Sequence, residues 1–429
     1  MRASHYVYAG AITLAAAAAL GVATSVTQAV PPSRPKVPVL QLDPNWPKAL
    51  PSAGQFGTPP DVNTATGKPK PWITGEVAGT CVDSQDNVFT VNRGNLVNNE
   101  PLKAVPSPTV IEFDPDGNVV NAFSTTAVQA QIHGCFVDYQ DNIWIAGNGD
   151  GIVQKYSHDG KTLLLQIGTQ GVCDNPPANT CGNSGANPLA NVSTTLLNEP
   201  ANVWVDPNPD PQSGKRGAVY IADGYGNHRV VVFQDNGDGS ATYLRQWPKD
   251  NSVAATVNNP STDELGLFAA GDGGHPHCVV GGNDGMMYVC DRADDRIEVF
   301  TKMGDFVRVI PVVPGTGVTQ SASGAPGLGV IGSAWDLRFT NDPAQSYMFE
   351  VDGGNEILHT MDRMLGTIVS NLGQPGHNVG QFTYLHSDTV DSKGNVYTGE
   401  TINGRRIQKF VHVQCNNGNG QGNGNGNCS

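Results

Sequence analysis

The sequence is poor in basic residues. Lysine and arginine together number 25 against 39 aspartates and glutamates, which gives the 429-residue chain a formal net charge of −14. Proteins that bind DNA, RNA or an anionic membrane need a basic patch to displace counterions, and no such stripe stands out here. Nucleic acid and membranes are therefore not expected as partners, and the acidity is interpreted as a solvated surface.

Long apolar runs and helical patterning are also scarce. After residue 29 no apolar run is long enough to cross a membrane, and no stretch repeats apolar residues at helical spacing. The 52 glycines and 30 prolines indicate a chain rich in turns. The fold is therefore predicted to be all-β.

Several common catalytic motifs are missing. The sequence has no G-x-S-x-G nucleophile elbow, no P-loop and no H-E-x-x-H zinc motif. It also lacks the C-x-x-C pair that zinc-binding cysteines usually form, so zinc ligation by cysteine is kept only as an alternative to disulfide bonding.

The N-terminus has the features of a signal peptide, residues 1–29. Arg2 and His5 precede a small-apolar run at 9–23, and residues 27–29 include the small side chains that signal peptidase requires. The alternative is a membrane anchor, but this run is shorter than the roughly 20 residues that span a bilayer. We predict cleavage after Ala29 and a secreted or periplasmic protein.

Eight cysteines in an exported chain predict disulfide bonds. Their positions suggest three pairs: Cys173–Cys181, Cys415–Cys428 and Cys278–Cys290. The first two would each close an otherwise unconstrained segment, and the third would join two strands of one hairpin. The connectivity of the whole set is left open.

A hairpin pattern recurs along the chain. Tyr220–Phe233 is predicted to form two alternating strands around a turn with Tyr225 at its tip. The same outline returns at Tyr288–Phe300, Tyr397–Phe410 and, more faintly, Met348–Met361. Units of about four strands begin near Val77, Ile132, Ala201, His277, Ser333 and His386. Six such units are typical of a β-propeller, in which the first strand of each unit lines a central channel.

These repeats define the predicted organisation. A six-bladed propeller is assigned to residues 71–413, after an extended N-terminal segment at 30–70 and before an Asn/Gly-rich tail at 414–429. The apolar residues Val37–Leu42 are expected to add a strand to the sheet that closes the ring.

Three histidines share one position in the repeat. His133, His277 and His386 stand at the start of the innermost strands of units two, four and six. Alternate blades of a six-bladed ring are related by a third of a turn, so the imidazoles are expected to converge on the channel axis. Three neutral imidazoles with a fourth position open to water or substrate form a catalytic zinc site. His275 stays open as an alternative to His277.

Three other side chains are candidates for catalysis. Tyr225 follows the second strand of unit three, and Arg93 and Arg292 occupy the corresponding ends in units one and four. A phenol beside a metal can act as a base, and a guanidinium can hold a carboxylate through two hydrogen bonds. The structural alternatives are a tyrosine that only caps a sheet and arginines that pair with aspartates of a neighbouring blade.

Five stretches carry a family resemblance that covers most of residues 72–413. They are GEVAGTCVDSQDNVFTVNRG, HGCFVDYQDNIWIAG, YIADGYGNHRVVVF, PHCVV with CDRADDRIEVF, and HSDTVDSKGNVYTGE. The chain resembles NHL-repeat six-bladed propellers, and among them the peptidyl-α-hydroxyglycine α-amidating lyases. The resemblance implies zinc ligands, a catalytic tyrosine and active-site arginines at His133, His277 and His386, at Tyr225, and at Arg93 and Arg292.

The resemblance also implies a reaction. A lyase of this family uses zinc to cleave an N-acyl α-hydroxyglycine into a carboxamide and glyoxylate. Zinc would lower the pKa of the substrate hydroxyl, Tyr225 would take the proton, and Arg93 or Arg292 would hold the carboxylate. A small-molecule or peptide substrate and a monomeric protein are expected, and another α-hydroxy amide is an alternative substrate.

A structural calcium ion belongs to the same family pattern. It would be bound by the backbone carbonyls of Thr80 and Cys135 and by an acid directly after the third histidine. In this chain that position is Ser387, and Asp388 follows it.

Two other functions are consistent with a propeller. A non-catalytic NHL propeller could present its rim to a protein or glycan partner. A propeller hydrolase acting on lactones or esters fits less well, because its calcium-centred site uses carboxylate and Asn ligands rather than three histidines.

Overall fold

The computed structural model describes residues 35–181, 192–249, 265–269, 275–316 and 332–413. The predicted signal peptide, the Cys415–Cys428 pair and the Asn/Gly-rich tail lie outside these residues.

Six four-stranded antiparallel sheets form the blades of a propeller. Blade 1 contains β3 (Val77–Val82), β4 (Val88–Asn92), β6 (Val110–Phe113) and β7 (Val119–Phe123). Blade 2 contains β8 (Cys135–Val137), β9 (Ile143–Gly147), β10 (Ile152–Tyr156) and β11 (Leu163–Ile167). Blade 3 contains β12 (Asn202–Asp206), β13 (Ala218–Asp223), β14 (Arg229–Asp235) and β15 (Ala241–Trp247).

The remaining blades follow the same order. Blade 4 contains β16 (Cys278–Gly281), β17 (Met286–Asp291), β18 (Arg296–Thr301) and β19 (Phe306–Pro311). Blade 5 contains β20 (Asp336–Phe339), β21 (Tyr347–Asp352), β22 (Ile357–Asp362) and β23 (Thr367–Leu372). Blade 6 contains β24 (Leu385–Val390), β25 (Val396–Glu400), β26 (Arg406–Val413) and β1 (Val39–Leu42). The predicted all-β, six-bladed propeller is confirmed.

The two ends of the described chain meet in blade 6. Strand β1 pairs antiparallel with β26, with Val39 opposite Val413 and Leu42 opposite Phe410. The innermost strand β24 in turn contacts β3 of blade 1. The N-terminal strand therefore completes the last blade, and it is formed by the last four residues of the predicted segment Val37–Leu42.

Little regular structure lies outside the blades. Strands β2 (Trp72–Ile73) and β5 (Val105–Pro106) form a short parallel pair. Short 3-10 helices occur at Glu100–Leu102, Gln129–Gln131, Asn148–Asp150 and Arg292–Asp294. In the part of the chain that the structure describes, no helix is both long enough and apolar enough to cross a bilayer.

The core lies between the blades, because each sheet is apolar on both faces. In β13, Val219 and Ile221 pack with residues of blade 2, whereas Tyr220 and Ala222 pack with residues of blade 4. Successive side chains of a strand point to opposite faces, so one strand contributes to two neighbouring interfaces. This explains why the innermost and second strands read as nearly continuous apolar runs.

Three disulfide bonds are present in the described residues. Cys173–Cys181 and Cys278–Cys290 confirm two of the predicted pairs. The third, Cys81–Cys135, joins β3 of blade 1 to β8 of blade 2 and was not anticipated. Disulfides of this number are typical of proteins outside the reducing cytosol.

Candidate metal centre

Three histidine side chains converge in the central channel. The ring centroids of His133 and His386 are 4.6 Å apart, those of His133 and His277 are 4.9 Å apart, and those of His277 and His386 are 5.0 Å apart. One ring nitrogen from each lies within 4.8 Å of the other two. All three residues are buried. The structure thus brings together the three residues that the repeat pattern selected; their role as ligands stays a prediction.

The repeat positions these imidazoles through its backbone. The amide of His133 donates to the carbonyl of Ala146, and the amide of His277 donates to that of Cys290, so each histidine pairs with the second strand of its blade. His386 lies within β24, one residue after its start. Because these positions repeat on alternate blades, the side chains meet at the axis.

Two of the imidazoles are oriented by backbone carbonyls. His133 Nδ1 lies 2.7 Å from the Ala201 carbonyl oxygen, and His277 Nδ1 lies 2.6 Å from that of Trp335. A carbonyl can only accept, so Nδ1 carries the proton in both rings. The unprotonated Nε2 atoms therefore face the channel, as metal-binding histidines usually do.

The histidines are held in the neutral form. Burial lowers the pKa of His133, His277 and His386 well below the ordinary value. The positive charge of Arg292 lowers the pKa of all three imidazoles further, and that of Arg93 lowers the pKa of His133 and His386. Neutral imidazole is the form that binds a metal, so the site is ready for ligation at neutral pH.

Tyr225 contacts this cluster directly. It lies in the turn between β13 and β14, and its hydroxyl is 3.1 Å from Nε2 of both His133 and His277. Arg292 Nη1 donates to the same hydroxyl at 3.2 Å. The Arg292 guanidinium also lies over the indole of Trp335, 4.4 Å from the ring centroid. The phenol is thus fixed between the imidazoles and a cation.

The two arginines have different surroundings. Arg93 Nη1 is 2.6 Å from Glu76 Oε2, and Arg93 Nε donates to the Ile132 carbonyl at 3.1 Å. Arg292 forms no ion pair in the described ranges, and its buried Nε has no hydrogen-bond partner there. Arg93 is therefore already engaged in an ion pair, whereas Arg292 retains a donor for an anionic ligand.

His275 does not join the cluster. Its Nδ1 is 3.3 Å from the amide of Ala293, and its ring centroid is 5.8 Å from that of His228. Of the two candidates in this segment, only His277 lies with His133 and His386.

Two residues of the site were missed in the sequence. The Trp335 indole packs on Arg292, and its backbone carbonyl accepts a hydrogen bond from His277 Nδ1. Glu76 forms an ion pair with Arg93. Trp335 occupies in unit five the position that His277 occupies in unit four, since its amide likewise bonds to the second strand of its blade. Aligning the six units column by column would have placed it at the channel.

The donor set fits zinc. Zinc in proteins is commonly bound by imidazole nitrogens, and catalytic sites combine three protein ligands with one open position. Here three buried, neutral imidazoles face one another, and two have a carbonyl fixing the second nitrogen.

The donor set does not fit the calcium ion of the family pattern. Thr80, Cys135 and Ser387 line a small cavity beside the histidines, but its wall also includes Asp336 and Arg338. Arg338 Nη1 is 2.7 Å from Asp336 Oδ1, so a guanidinium already neutralises the carboxylate of this cavity. Calcium sites combine oxygen ligands with net negative charge, and this ion pair leaves the carboxylate of the cavity without that charge.

Buried His228 predicts a dependence of stability on pH. Burial lowers its pKa from 6.5 to about 4, and Nδ1 bonds to the Ala269 carbonyl at 2.5 Å. Between these two values the unfolded chain binds one more proton than the folded chain, so acidification destabilises the protein. From pH 7 to pH 5, this group should remove about 2 kcal/mol of unfolding free energy.

The comparison of wild type with His228→Gln isolates this contribution. Glutamine can still donate to the carbonyl but does not titrate, and the other buried histidines are common to both proteins. Urea unfolding of metal-free protein at pH 7 and pH 5 should show a smaller loss for the variant. Equal losses in the two proteins would contradict the assignment.

No family model matches the chain. The chain is 24% identical over 302 residues to peptidyl-glycine alpha-amidating monooxygenase B of Xenopus laevis, covering 67% of this chain and 30% of that protein. It is 24% identical over 397 residues to NHL repeat-containing protein 3 of Mus musculus, covering 87% of this chain and 84% of that protein. Homologues thus include both kinds of protein, and the chain spans less than a third of the amidating monooxygenase.

A solved structure of similar fold is a protein of unknown function from Bacteroides thetaiotaomicron. Its TM-score is 0.50 at 14% identity, with 87% of this chain and 76% of that chain covered. At this level of identity the likeness concerns the fold alone.

Proposed function

We propose that the protein is an exported, zinc-dependent carbon–nitrogen lyase that cleaves an N-acyl α-hydroxyglycine-like substrate into an amide and glyoxylate. The observation that carries this proposal is the Tyr225 hydroxyl, which lies within 3.1 Å of two imidazole nitrogens and 3.2 Å of Arg292. The similarity to amidating monooxygenases supports it. A monomer acting on a small molecule or peptide is proposed with it.

His133, His277 and His386 would hold the metal. When bound, zinc supplies Lewis acidity that makes a nearby hydroxyl easier to deprotonate. The three imidazoles carry no charge of their own, so they leave the full charge of the ion available to a ligand.

Tyr225 would act as the base. Its oxygen accepts a hydrogen bond from Arg292, and this bond becomes stronger when the oxygen carries negative charge. The phenol is only partly buried, so a substrate hydroxyl can approach it from the rim. Proton transfer by a positioned side chain is the contribution that this geometry allows.

Arg292 would hold the substrate carboxylate. Its unpartnered Nε and its stacking on Trp335 leave a fixed donor edge, whereas Arg93 is engaged by Glu76. Arg93 then contributes positive charge beside His133 and His386 rather than the main carboxylate contact.

The reaction balances with these groups alone. The hydroxyl of the substrate would lose its proton to Tyr225 in its phenolate form, the C–O bond would become a carbonyl, and the C–N bond would break. The leaving amide nitrogen gains one proton, which equals the one removed from the hydroxyl. The products are a primary amide and glyoxylate, and no oxidant or reductant is needed.

The direct test is a turnover assay. The purified, zinc-loaded protein should release glyoxylate from N-benzoyl-α-hydroxyglycine, and much more slowly from the corresponding compound whose carboxylate is converted to an amide. A protein that binds zinc at the channel but releases no glyoxylate would refute the lyase and leave the metal site standing.

A second candidate is a non-catalytic propeller that binds a protein or glycan. It is favoured by the similarity to NHL repeat-containing protein 3, which extends over most of both chains. Such a protein should keep its partner when His277 is replaced by alanine, whereas the lyase should lose metal and activity together.

A further inference from the structure

Acidic residues at the end of the first strand are neutralised by lysines in blades 2 and 3. In blade 2 Asp138 Oδ2 lies 3.4 Å from Lys155 Nζ. In blade 3 the Asp206 carboxylate contacts the ammonium of Lys302. A lysine therefore balances the buried carboxylate at this position in both blades, whereas in blade 6 the equivalent Asp391 is bonded by the neutral side chains of Asn395 and Tyr397.

Blade 1 breaks this pattern. Its acid at the same position is Asp83, and the group that faces it from blade 2 is His158, whose Nε2 is 2.9 Å from Asp83 Oδ2. The three closest candidate ligand atoms of Asp83, Glu112 and His158 all lie within 4.8 Å of one another. The second carboxylate, Glu112, stands where blade 2 has the cation Lys155.

The register between strands shows the replacement directly. In blade 2 Lys155 on β10 is paired with Trp144 on β9, and Trp144 Nε1 donates to Asp138 at 2.9 Å. In blade 1 the corresponding pair is Glu112 on β6 with Phe89 on β4. Relative to blade 2, blade 1 therefore has the carboxylate of Glu112 in place of the ammonium of Lys155. It also has Phe89, which has no hydrogen-bond donor, in place of the indole of Trp144.

This exchange leaves negative charge inside the interface. Asp83 and Glu112 are 6% and 5% exposed, and neither forms an ion pair with a lysine or arginine in the described segments. Burying a carboxylate without a counter-charge is costly, so such groups are normally paired or bind a metal. The Asn121 amide facing Glu112 is neutral and cannot supply the missing charge.

We propose that Asp83, Glu112 and His158 bind a divalent cation, with Zn²⁺ the best match to their chemistry. One imidazole nitrogen and two carboxylate oxygens are borderline and hard donors that suit zinc, and a water completes four-coordination. Binding replaces the proton that His158 Nε2 shares with Asp83. The His158 side chain is 35% exposed, which gives the ion a path from solvent.

Neighbouring contacts fix the ligands before the ion arrives. Asp83 Oδ1 accepts the amides of Gln85 and Asn87, each at 2.8 Å, and Asn87 Nδ2 donates to Asp83 Oδ2 at 2.9 Å. The His158 ring lies edge-on to Phe89 with centroids 5.5 Å apart. Two of the ligands are therefore preorganised.

The site would join two blades. Asp83 and Glu112 belong to blade 1 and His158 to the turn between β10 and β11 of blade 2. The Cys81–Cys135 disulfide crosses the same interface. The cation is thus expected to raise the stability of the folded protein and to take no part in the channel chemistry.

Zinc titration of metal-free, full-length protein tests the site. We expect two equivalents in wild type, one in His277→Ala, and none in His277→Ala combined with Glu112→Lys. The Glu112→Lys change copies the charge of blade 2 and should preserve the fold. The matched control is Asp116→Asn, an exposed acid of blade 1 that should leave the two equivalents unchanged.

Thermal unfolding provides a second readout. Zinc should raise the Tm of His277→Ala but not that of the double variant. His158→Gln in the wild-type background should bind one equivalent and, like Glu112→Lys, keep the channel metal. Equal zinc binding by His277→Ala with and without Glu112→Lys would overturn the proposal, as would the absence of zinc from His277→Ala. If His277→Ala bound as many equivalents of zinc as wild type, that result would instead count against the proposed function.

Discussion

A Tyr225→Phe variant is expected to release glyoxylate about 10²–10⁴-fold more slowly than wild type, the range that a positioned acid–base group contributes. The phenylalanine ring can keep the packing against Arg292, whose guanidinium carbon lies 5.3 Å from the ring centroid. Only the hydroxyl is lost, and the hydroxyl is the atom that contacts His133 and His277. The loss should therefore fall on kcat, with little change in KM.

Two measurements separate this catalytic role from a structural one. The zinc content of Tyr225→Phe should equal that of wild type, because the phenol is not among the proposed ligands. The control is Tyr139→Phe, a tyrosine that is 45% exposed and outside the channel, and it should keep the wild-type rate. A Tyr225→Phe protein within threefold of the wild-type kcat would exclude the phenol as the base.

Replacing His277 by alanine should remove one equivalent of zinc and lower glyoxylate release by about 10³-fold or more. Metal-ion stabilisation of developing charge is worth several kcal/mol, and each 1.36 kcal/mol corresponds to a factor of ten. His277 is suited to this test because its Nδ1 is bonded to the Trp335 carbonyl, which directs its Nε2 into the channel. Metal analysis after dialysis and the turnover assay report on the two losses separately.

His412→Ala is the matched histidine control. His412 lies on β26, pairs with Leu40 of β1 and is remote from the three channel imidazoles in the repeat. It should keep both zinc and activity. If His277→Ala retained full activity, the channel metal would have no part in the reaction.

Much of the fold follows from the sequence, because the propeller is built from local hairpins. The turn at Tyr225 and the alternation on either side of it define β13 and β14, and the repeat of that outline leads to six blades. The position of His133, His277 and His386 within the repeat then places them at one end of the innermost strands. Each of these steps needs only short-range patterns and the symmetry of the ring.

Features that depend on the packing between blades could not be predicted from the sequence repeat. Cys81 and Cys135 are 54 residues apart, and only the closure of neighbouring blades brings them together. The ion pair of Arg338 with Asp336, which makes the inner cavity unsuitable for calcium, likewise depends on side-chain direction within β20. A repeat pattern gives the position of a residue in its blade but not which neighbour neutralises it.

The exceptional chemistry of blade 1 illustrates the same limit. In the sequence alone, nothing distinguishes Glu112 from the other acidic residues of this acidic protein. Its significance appears only from the strand register, which sets it in the place of Lys155. Departures from a repeat are therefore as informative as the repeat itself.

The pairing of β1 with β26 constrains how the protein can acquire its structure. Residues 39–42 are synthesised long before their partners at 410–413, so the ring stays open until the last blade has been made. Contacts that distant in sequence form slowly. Until closure, the outer edge of β26 and the apolar β1 segment are unpaired edges that can join other chains. A chain truncated so that residues 410–413 are missing would lose the pairing between β1 and β26. We expect it to self-associate while the other five blades stay folded.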